Sequence, residues 1–233
     1  MSPLPIVWVP GHLCGGWLYA AQIAAFPRHP AIVADVGRDD TLAAMAWRLL
    51  AAAPERFVIA GLSMGGMVAM EAMAAAPERI AAAVLMDTDP LPAREKERAF
   101  REDQRKLVAG EGLEAAIRPF AERFFGHDPA AAGRHLDDVV ARMAAAPVEV
   151  YERQALALDT RREMVPELAR FVGPVAVIVG ADDVICPPKV HGPLAGALPA
   201  ARLSVLPGVG HLACIEAPEA VNAEVAAVLA GAG

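Results

Sequence analysis

The feature of this sequence that most limits its fold is Ser63, which lies between two glycines in the segment GLSMGG at positions 61–66. An apolar run at residues 57–60 precedes it and has the composition of a buried parallel strand. Residues 67–76 are strong helix formers, and Pro77 ends them. A strand, a glycine-flanked serine and a helix form the context in which Gly-x-Ser-x-Gly is a nucleophile elbow.

The two glycines have a physical purpose in this interpretation. Side chains at Gly61 and Gly65 would collide with the neighbouring strand or helix. The sharp turn raises the Ser63 hydroxyl above the sheet and directs the backbone N–H of Met64 toward a developing oxyanion. An ordinary glycine-rich turn is the alternative, so the interpretation depends on finding an acid and a histidine downstream.

Composition limits the class of protein. The 233 residues suit one large domain or a domain with an insertion, and 55% of them are hydrophobic, enough for a sizeable core. The net charge of −7 argues against a nucleic-acid partner and offers no basic patch for an anionic membrane. No apolar run approaches the roughly 20 residues of a membrane span, and the N-terminus lacks the features of a signal peptide.

The three cysteines, Cys14, Cys186 and Cys214, show no disulfide-framework spacing, which is typical of a reducing compartment. No Cys-x-x-Cys or His-x-x-x-His spacing indicates a metal site. We therefore predict a cytoplasmic monomer or homodimer with no metal and no cofactor. Its partner is expected to be a small molecule, with no nucleic acid and no membrane involved.

Apolar runs alternate with helix-forming segments at both ends of the chain. This order implies right-handed crossovers and a mainly parallel sheet of about six strands, with helices on both faces. The predicted strands are residues 5–9, 31–35, 57–60, 80–86, 175–180 and 202–206.

The alternation stops between the fourth and fifth strands, where no convincing strand occurs. The predicted helices there are residues 93–108, 111–125, 134–146 and 148–158. We predict a core at 1–90 and 171–233, with 91–170 inserted as a helical cap (lid). Its apolar residues would cover an apolar pocket.

His211 is the candidate base. A serine hydroxyl becomes a good nucleophile only when a base takes its proton, and that base is usually a histidine oriented by a carboxylate. His211 follows the last strand and is the only histidine at a strand's C-terminal end downstream of Ser63. The other histidines are His12 in the first loop, His29 in a surface loop, His127 and His135 in the insertion, and His191 on or next to a helix.

Three aspartates compete as the acid. Asp182 and Asp183 follow the strand at 175–180, and Asp87 follows the strand at 80–86. All three positions suit a carboxylate at the C-terminal edge of a parallel sheet, so the residues alone leave the choice open. A second oxyanion donor is expected in the loop after the first strand, where the backbone N–H of His12 is the candidate.

Taken together, these motifs resemble the α/β-hydrolase superfamily. The segment PGHLCGGW at 10–17 resembles the oxyanion loop HGACHGGW of the plant methylesterase and hydroxynitrile lyase group, and also the PGLLC start of small bacterial hydrolases. The segment GADDVICP at 180–187 matches the acid loop, and PGVGH at 207–211 followed by EAP at 216–218 matches the histidine loop. The resemblance covers both ends of the chain and fails only in the insertion.

The resemblance selects Asp183 as the acid and implies a triad of Ser63, Asp183 and His211, with the amides of His12 and Met64 as the oxyanion hole. Two departures from the family pattern stand out. Pro10 replaces the usual histidine, and the sheet lacks the first antiparallel hairpin of larger members.

The resulting expectation is hydrolysis of a carboxylic ester of small or medium acyl length through an acyl-enzyme. Expected substrate-binding residues are Leu13, Trp17, Phe120 and Phe124. Other members with this triad are lyases, lactonases or C–C hydrolases, and the lyases use a cap lysine, for which Lys96 and Lys106 are available. A ligand receptor with slow turnover is a further alternative.

Overall fold

The protein forms one six-stranded sheet in which every pair of neighbouring strands is parallel, in the order β2-β1-β3-β4-β5-β6. A computed structural model describes residues 3–125 and 129–232. The six-stranded parallel sheet predicted from the sequence is confirmed. Its strands are β1 Ile6–Val9, β2 Ala31–Val33, β3 Phe57–Leu62, β4 Ile80–Met86, β5 Val175–Gly180 and β6 Ala201–Leu206.

The position of each strand in the sheet explains its composition. Every residue of the central strands β3, β4 and β5 is buried, as expected for strands covered on both faces. The edge strands β2 and β6 are partly exposed. β2 ends two residues before the predicted residue 35, because the Asp35 carboxylate accepts the N–H of Gly37 and pairs with Arg38 instead of entering the strand.

Helices cover both faces of the sheet. The core helices are α1 Ala20–Ala25, α2 Leu42–Ala52, α3 Met64–Ala75, α9 Pro188–Ala197, α10 Ala213–Glu216 and α11 Pro218–Gly231. Alternate residues of β1 point in opposite directions, so Trp8 packs in one apolar layer with α11 and Val7 packs in the other with α2 and α3. None of the helices in the described ranges is both long enough and apolar enough to cross a membrane.

Between β4 and β5 the described residues form helices and no strand, as the sequence predicts. The helices are α4 Glu95–Glu111, α5 Leu113–Ala121, α6 Pro129–Ala144, α7 Val148–Asp159 and α8 Val165–Leu168. Several boundaries differ from the prediction: α6 begins at Pro129 rather than at 134, and α8 was not predicted. α4 continues through Gly110, and the break falls at Gly112, which has a φ of +89°. α5 ends at Ala121 rather than at 125, and tight turns follow it.

The inserted helices share the apolar layer on one face of the sheet. Val108 of α4, Ile117 of α5 and Met143 of α6 are buried in the same cluster as Trp8 of β1. The segment therefore packs against the core near the C-terminal ends of the strands. Its role as a separate lid at 91–170 stays a prediction.

Candidate active site

Ser63 lies at the junction of β3 and α3 in a strained backbone conformation. Its φ is +56° and its ψ is −120°, a region that non-glycine residues rarely occupy. Two hydrogen bonds hold it there: its N–H donates to the carbonyl of Met86 at 2.9 Å, and its carbonyl accepts from Thr88 Oγ1 at 2.8 Å. The turn is thus fixed from the neighbouring strand β4.

The two flanking positions, Gly61 and Gly65, must be glycine because neighbouring backbone atoms leave no room for a Cβ. A Cβ on Gly65 would lie 1.9 Å from the carbonyl oxygen of Val9, and one on Gly61 would lie 2.3 Å from the carbonyl oxygen of Gly65. No side chain fits at either distance. The packing agrees with the reason that the sequence suggests for these glycines.

Ser63, His211 and Asp183 form a continuous hydrogen-bonded chain. Ser63 Oγ lies 3.0 Å from His211 Nε2, and His211 Nδ1 lies 2.8 Å from Asp183 Oδ2. The other oxygen of Asp183 accepts the backbone N–H groups of Ile185 at 2.7 Å and Cys186 at 3.0 Å. These bonds fix the carboxylate, which in turn places the ring proton on Nδ1 and leaves Nε2 free to accept from the serine.

The electrostatics of the pair suit a base. Burial favours the neutral ring, but the Asp183 carboxylate outweighs burial and holds the pKa of His211 above its usual value. Burial likewise opposes charge on Asp183, but the neighbouring His211 and the hydrogen bonds lower the pKa of this carboxyl below its usual value. Asp183 therefore remains ionised beside the ring.

The two rival acids lie elsewhere. Both oxygens of the buried Asp87 carboxylate accept backbone N–H groups, from Gly180 at 2.9 Å and from Ala213 at 3.1 Å. Burial, and then the charge of Asp183, raise the pKa of Asp87 well above its usual value. Asp87 thus fastens the end of β5 to the start of α10. Asp182 donates its backbone N–H to Val209, and its side chain makes no hydrogen bond to His211.

The remaining histidines that the structure describes have other surroundings. His191 Nε2 accepts the N–H of Thr88 at 3.0 Å, directly behind the serine turn, and burial lowers its pKa, so the ring is neutral. His29 lies 2.8 Å from the carbonyl of Leu4, and His135 stacks on a phenylalanine of the insertion. His127 lies outside the described residues.

The first loop comes close to the serine. A Cβ on Gly11 would lie 3.6 Å from Ser63 Cβ, and Gly11, His12 and Ser63 line the same cavity. Met64 is the first residue of α3, where backbone N–H groups lack helical partners. Neither the His12 amide nor the Met64 amide donates to another described residue. Both can therefore receive a negatively charged oxygen.

The His12 imidazole is a poor base. Burial, and then the positive charge of Arg101, lower its pKa to about 4. The ring packs edge-on against Tyr151, with 5.5 Å between ring centroids. It is neutral at pH 7 and lies on the wall of the cavity over Ser63, which is described below.

Gln154 of α7 supports the oxyanion loop, a role that sequence reasoning missed. Leu13 has a φ of +56°, and its N–H donates to Gln154 Oε1 at 2.8 Å. Gln154 Nε2 donates to the carbonyl of Val36 at 3.1 Å. One buried side chain from the insertion thereby connects the loops after β1 and β2. No local pattern in the sequence indicates this role, because the two bonded partners lie 141 and 118 residues away.

His211 is held from two sides. The Glu216 carboxylate accepts the N–H groups of Gly210 at 3.1 Å and Leu212 at 3.0 Å, which flank the histidine. The N–H of His211 donates to the carbonyl of Phe124 at 2.6 Å, and the Phe124 ring packs on the imidazole with centroids 5.4 Å apart. The insertion therefore contacts His211 directly.

A cavity of about 470 Å³ opens over Ser63 between the sheet and the inserted helices. Leu13, Phe120 and Phe124, three of the expected substrate-binding residues, line it. The fourth, Trp17, does not: it lies at a separate concavity, where the Arg142 guanidinium sits 5.6 Å from the ring centroid. Across the described ranges, no group of three or more His, Cys, Asp or Glu side chains is arranged to hold a metal ion.

Comparison with known proteins identifies the fold. The family model for the alpha/beta hydrolase fold matches residues 24–218. BpoC of Mycobacterium tuberculosis H37Rv, which bears the name of a non-heme bromoperoxidase, is 31% identical over 179 residues, covering 73% of this chain and 66% of BpoC. The solved BpoC structure has a TM-score of 0.80 at 26% identity and covers 98% of this chain and 92% of that one.

Two further relatives bear other names. The pimeloyl-[acyl-carrier protein] methyl ester esterase of Edwardsiella ictaluri is 30% identical over 77% of this chain and 71% of its own. RutD of Pseudomonas savastanoi pv. phaseolicola, named as a carbamate hydrolase, is 30% identical over 79% of this chain and 73% of its own. The similarity thus extends to proteins with different named activities and does not select a substrate.

Proposed function

The chain belongs to the α/β-hydrolase family, and from that premise we propose that it is a serine hydrolase that cleaves a carboxylic ester. The observation that carries this proposal is the hydrogen-bonded chain from Ser63 Oγ through His211 to Asp183, with distances of 3.0 and 2.8 Å. An esterase among the relatives agrees with it.

In the proposed mechanism, Ser63 Oγ attacks the ester carbonyl while His211 Nε2 takes the hydroxyl proton. Asp183 stabilises the resulting imidazolium. The tetrahedral intermediate collapses when His211 returns the proton to the leaving alcohol, which breaks the C–O bond and leaves an acyl-enzyme. Water, deprotonated by His211, then attacks the acyl carbon and releases the acid with Ser63 restored.

The amides of His12 and Met64 are proposed to bind the oxyanion in both steps. One such donor typically contributes about 3 kcal/mol of transition-state stabilisation. The structural support is that both amides lie beside Ser63 without a partner among the described residues. Their strained neighbour Leu13 is held by Gln154, so the donors are positioned before the substrate binds.

The cavity favours a small or medium acyl chain. Its volume of about 470 Å³ falls in the range of small-molecule sites, and Leu13, Phe120 and Phe124 supply apolar wall. We propose that the helices of 91–170 act as the lid over this cavity. The three free cysteines support a reducing location, the cytoplasm, for a monomer or homodimer.

The decisive experiment compares hydrolysis of p-nitrophenyl esters of increasing acyl length by the native protein and by Ser63→Ala. We expect Ser63→Ala to lose at least about 10³-fold in kcat. Ser204→Ala is the matched control. Ser204 lies on the edge strand β6, outside the cavity, and its hydroxyl donates a hydrogen bond to Glu224 of α11. Undiminished hydrolysis by Ser63→Ala contradicts the proposal. Fluorophosphonate labelling of Ser63 with negligible turnover on every ester favours a ligand receptor.

A lyase is the second candidate, because Lys96 lies on the cavity wall whereas Lys106 does not. A cap lysine next to the triad would suit cleavage of a cyanohydrin. The assay is release of cyanide from a cyanohydrin, measured beside ester hydrolysis with the same preparation. Cyanide release faster than ester hydrolysis, and lost in Lys96→Met, favours the lyase.

A further inference from the structure

The cavity over Ser63 has the opposite charge balance to the rest of the protein. The whole chain carries 21 Lys and Arg against 28 Asp and Glu. Among the residues that the structure describes, six Lys and Arg side chains line the cavity, and Glu97 is the only acidic side chain that does. The basic residues are Arg94, Lys96, Arg101, Arg123, Arg161 and Lys189.

Three of the six are neutralised by carboxylates. Arg94 and Arg161 both pair with Asp89 and Glu97, so two guanidinium groups meet two carboxylates. Arg101 pairs with Asp159. These ion pairs join the start of α4 to the end of α7, and they contribute no net charge to the cavity.

The other three, Lys96, Arg123 and Lys189, form no ion pair within the part of the chain that the structure describes. They come from three separate elements: Lys96 from α4, Arg123 from the turn after α5, and Lys189 from α9. Two of them are close in sequence to residues that hold the proposed triad. Arg123 precedes Phe124, whose carbonyl holds the His211 amide, and Lys189 follows the loop that carries Asp183.

We propose that the substrate carries a negatively charged group, a carboxylate in the simplest case, and that Lys96, Arg123 and Lys189 bind it. The inference rests on the proposed ester hydrolysis and names the class of ester. A protein with a net charge of −7 repels an anion at long range, and a local excess of positive charge at the site reverses that effect. Three unpaired cations at the one cavity that contains the nucleophile supply this excess.

Matched esters test the charge preference. p-Nitrophenyl butyrate and the p-nitrophenyl monoester of succinate have acyl chains of the same carbon number, but the second ends in a carboxylate. We expect a higher kcat/KM for the charged ester. The preference should decrease severalfold as the salt concentration rises from about 0.02 M to about 0.5 M, because salt screens exposed charges. Equal kcat/KM values for this pair at low salt exclude an anion on the acyl chain, and equal values in the alcohol-side pair described below as well overturn the inference.

Variants assign the preference to residues. Lys96→Gln, Arg123→Gln and Lys189→Gln should each reduce the ratio of charged to neutral kcat/KM by about two- to fivefold. Lys106→Gln is the control: it removes a cation from the same helix α4, but Lys106 lies outside the cavity and pairs with Asp103. A ratio reduced equally by Lys106→Gln overturns the assignment, because the effect is then one of overall charge.

A second pair of esters locates the anion within the substrate. Phenyl acetate and 4-acetoxybenzoate differ by a carboxylate on the alcohol side. A preference for 4-acetoxybenzoate alone places the charged group on the alcohol, and a preference for the succinate monoester alone places it on the acyl chain. Either result supports the inference, and no preference in both pairs contradicts it.

Binding to Ser63→Ala separates this inference from the proposed function. Calorimetry compares succinate with the neutral diamide succinamide, so it needs no turnover. Succinate binding that is lost in Lys189→Gln, with no ester hydrolysis by the native protein, supports the anion site and contradicts the esterase. Ester hydrolysis with neither succinate binding nor a charge preference supports the esterase and contradicts the anion site.

Discussion

Gln154→Met tests whether the inserted helices position the oxyanion hole. Gln154 is 1% exposed and makes two hydrogen bonds, accepting from the N–H of Leu13 at 2.8 Å and donating to the carbonyl of Val36 at 3.1 Å. Methionine has nearly the same length and shape as glutamine, so the substitution removes both bonds and leaves little empty volume. The Leu13 N–H and the Val36 carbonyl are then buried without partners.

The structure sets the magnitude. Each buried polar group left unpaired costs about 1–3 kcal/mol, and the apolar methionine offsets part of that. We expect the free energy of unfolding to fall by about 2–4 kcal/mol, which lowers Tm by roughly 5–15 °C for a chain of this size. Since Leu13 at φ +56° holds the turn that presents the His12 amide, kcat should also fall, by roughly 10- to 100-fold.

Steady-state kinetics separate positioning from simple destabilisation. An oxyanion donor acts mainly in the transition state. At an assay temperature well below the Tm of the variant, kcat should therefore be reduced while KM changes little. Arg153→Met is the matched control: it lies next to Gln154 on α7 and bonds the carbonyl of Gly37 at 3.1 Å, but it does not reach the oxyanion loop. A Gln154→Met protein with a lowered Tm and native kcat refutes the reasoning.

Three further predictions follow from the site. kcat/KM should rise with pH through a midpoint above about 6.5, because the carboxylates around the ring, Asp183 first among them, together outweigh burial and raise the pKa of His211. The same pair should stabilise the fold most between about pH 3.9 and about pH 6.5, and less as pH rises through the raised pKa of His211 or falls through the lowered pKa of Asp183. Asp183→Asn should move the kinetic midpoint to lower pH. Asp87→Asn should lower the free energy of unfolding by about 1–3 kcal/mol, because an amide NH₂ then faces a backbone N–H. A urea titration measures this change, and an unchanged free energy of unfolding would contradict the structural role of Asp87. Gly65→Ala should abolish fluorophosphonate labelling, since its Cβ would lie 1.9 Å from the last carbonyl of β1, whereas Gly110→Ala, with open space around it in α4, should add about 0.5–1 kcal/mol of stability.

The sheet was predictable because its signals are local. Each strand is an apolar run between glycine, proline or polar residues, and the central strands are buried throughout. The errors occur where local signals compete. Gly110 suggested a helix end, but α4 tolerates a glycine, and the chain breaks at Gly112, where a φ of +89° favours that residue. Predicted β2 extended to residue 35, beyond the point where an edge strand has a neighbour.

The residues of the candidate site also differ in whether a local sequence signal indicates them. The order serine, acid, histidine along the chain indicated Ser63 and His211 as candidates, and the family resemblance was needed to propose Asp183 rather than Asp87 or Asp182. The catalytic role of these three residues stays a prediction. Geometry explains why residues alone left this open, since Asp87 also lies at the rim and uses both oxygens on backbone amides. Gln154 had no local signal, because its partners lie 141 and 118 residues away.

The two contacts from the insertion restrict how a substrate can enter. Gln154 holds the oxyanion loop on one side of Ser63, and the Phe124 carbonyl holds the His211 amide on the other. A movement of all the inserted helices away from the sheet would break both hydrogen bonds. Each polar group left unpaired would then cost about 1–3 kcal/mol of free energy. Lys96 of α4 and Lys189 of α9 line the same cavity, are exposed and take part in neither contact, so we expect the substrate to enter between them. An ester that enters there meets Lys96 and Lys189 before it reaches Ser63. These positive charges would raise the association rate of an anionic ester as well as its affinity. The salt dependence should therefore be larger in kcat/KM than in kcat.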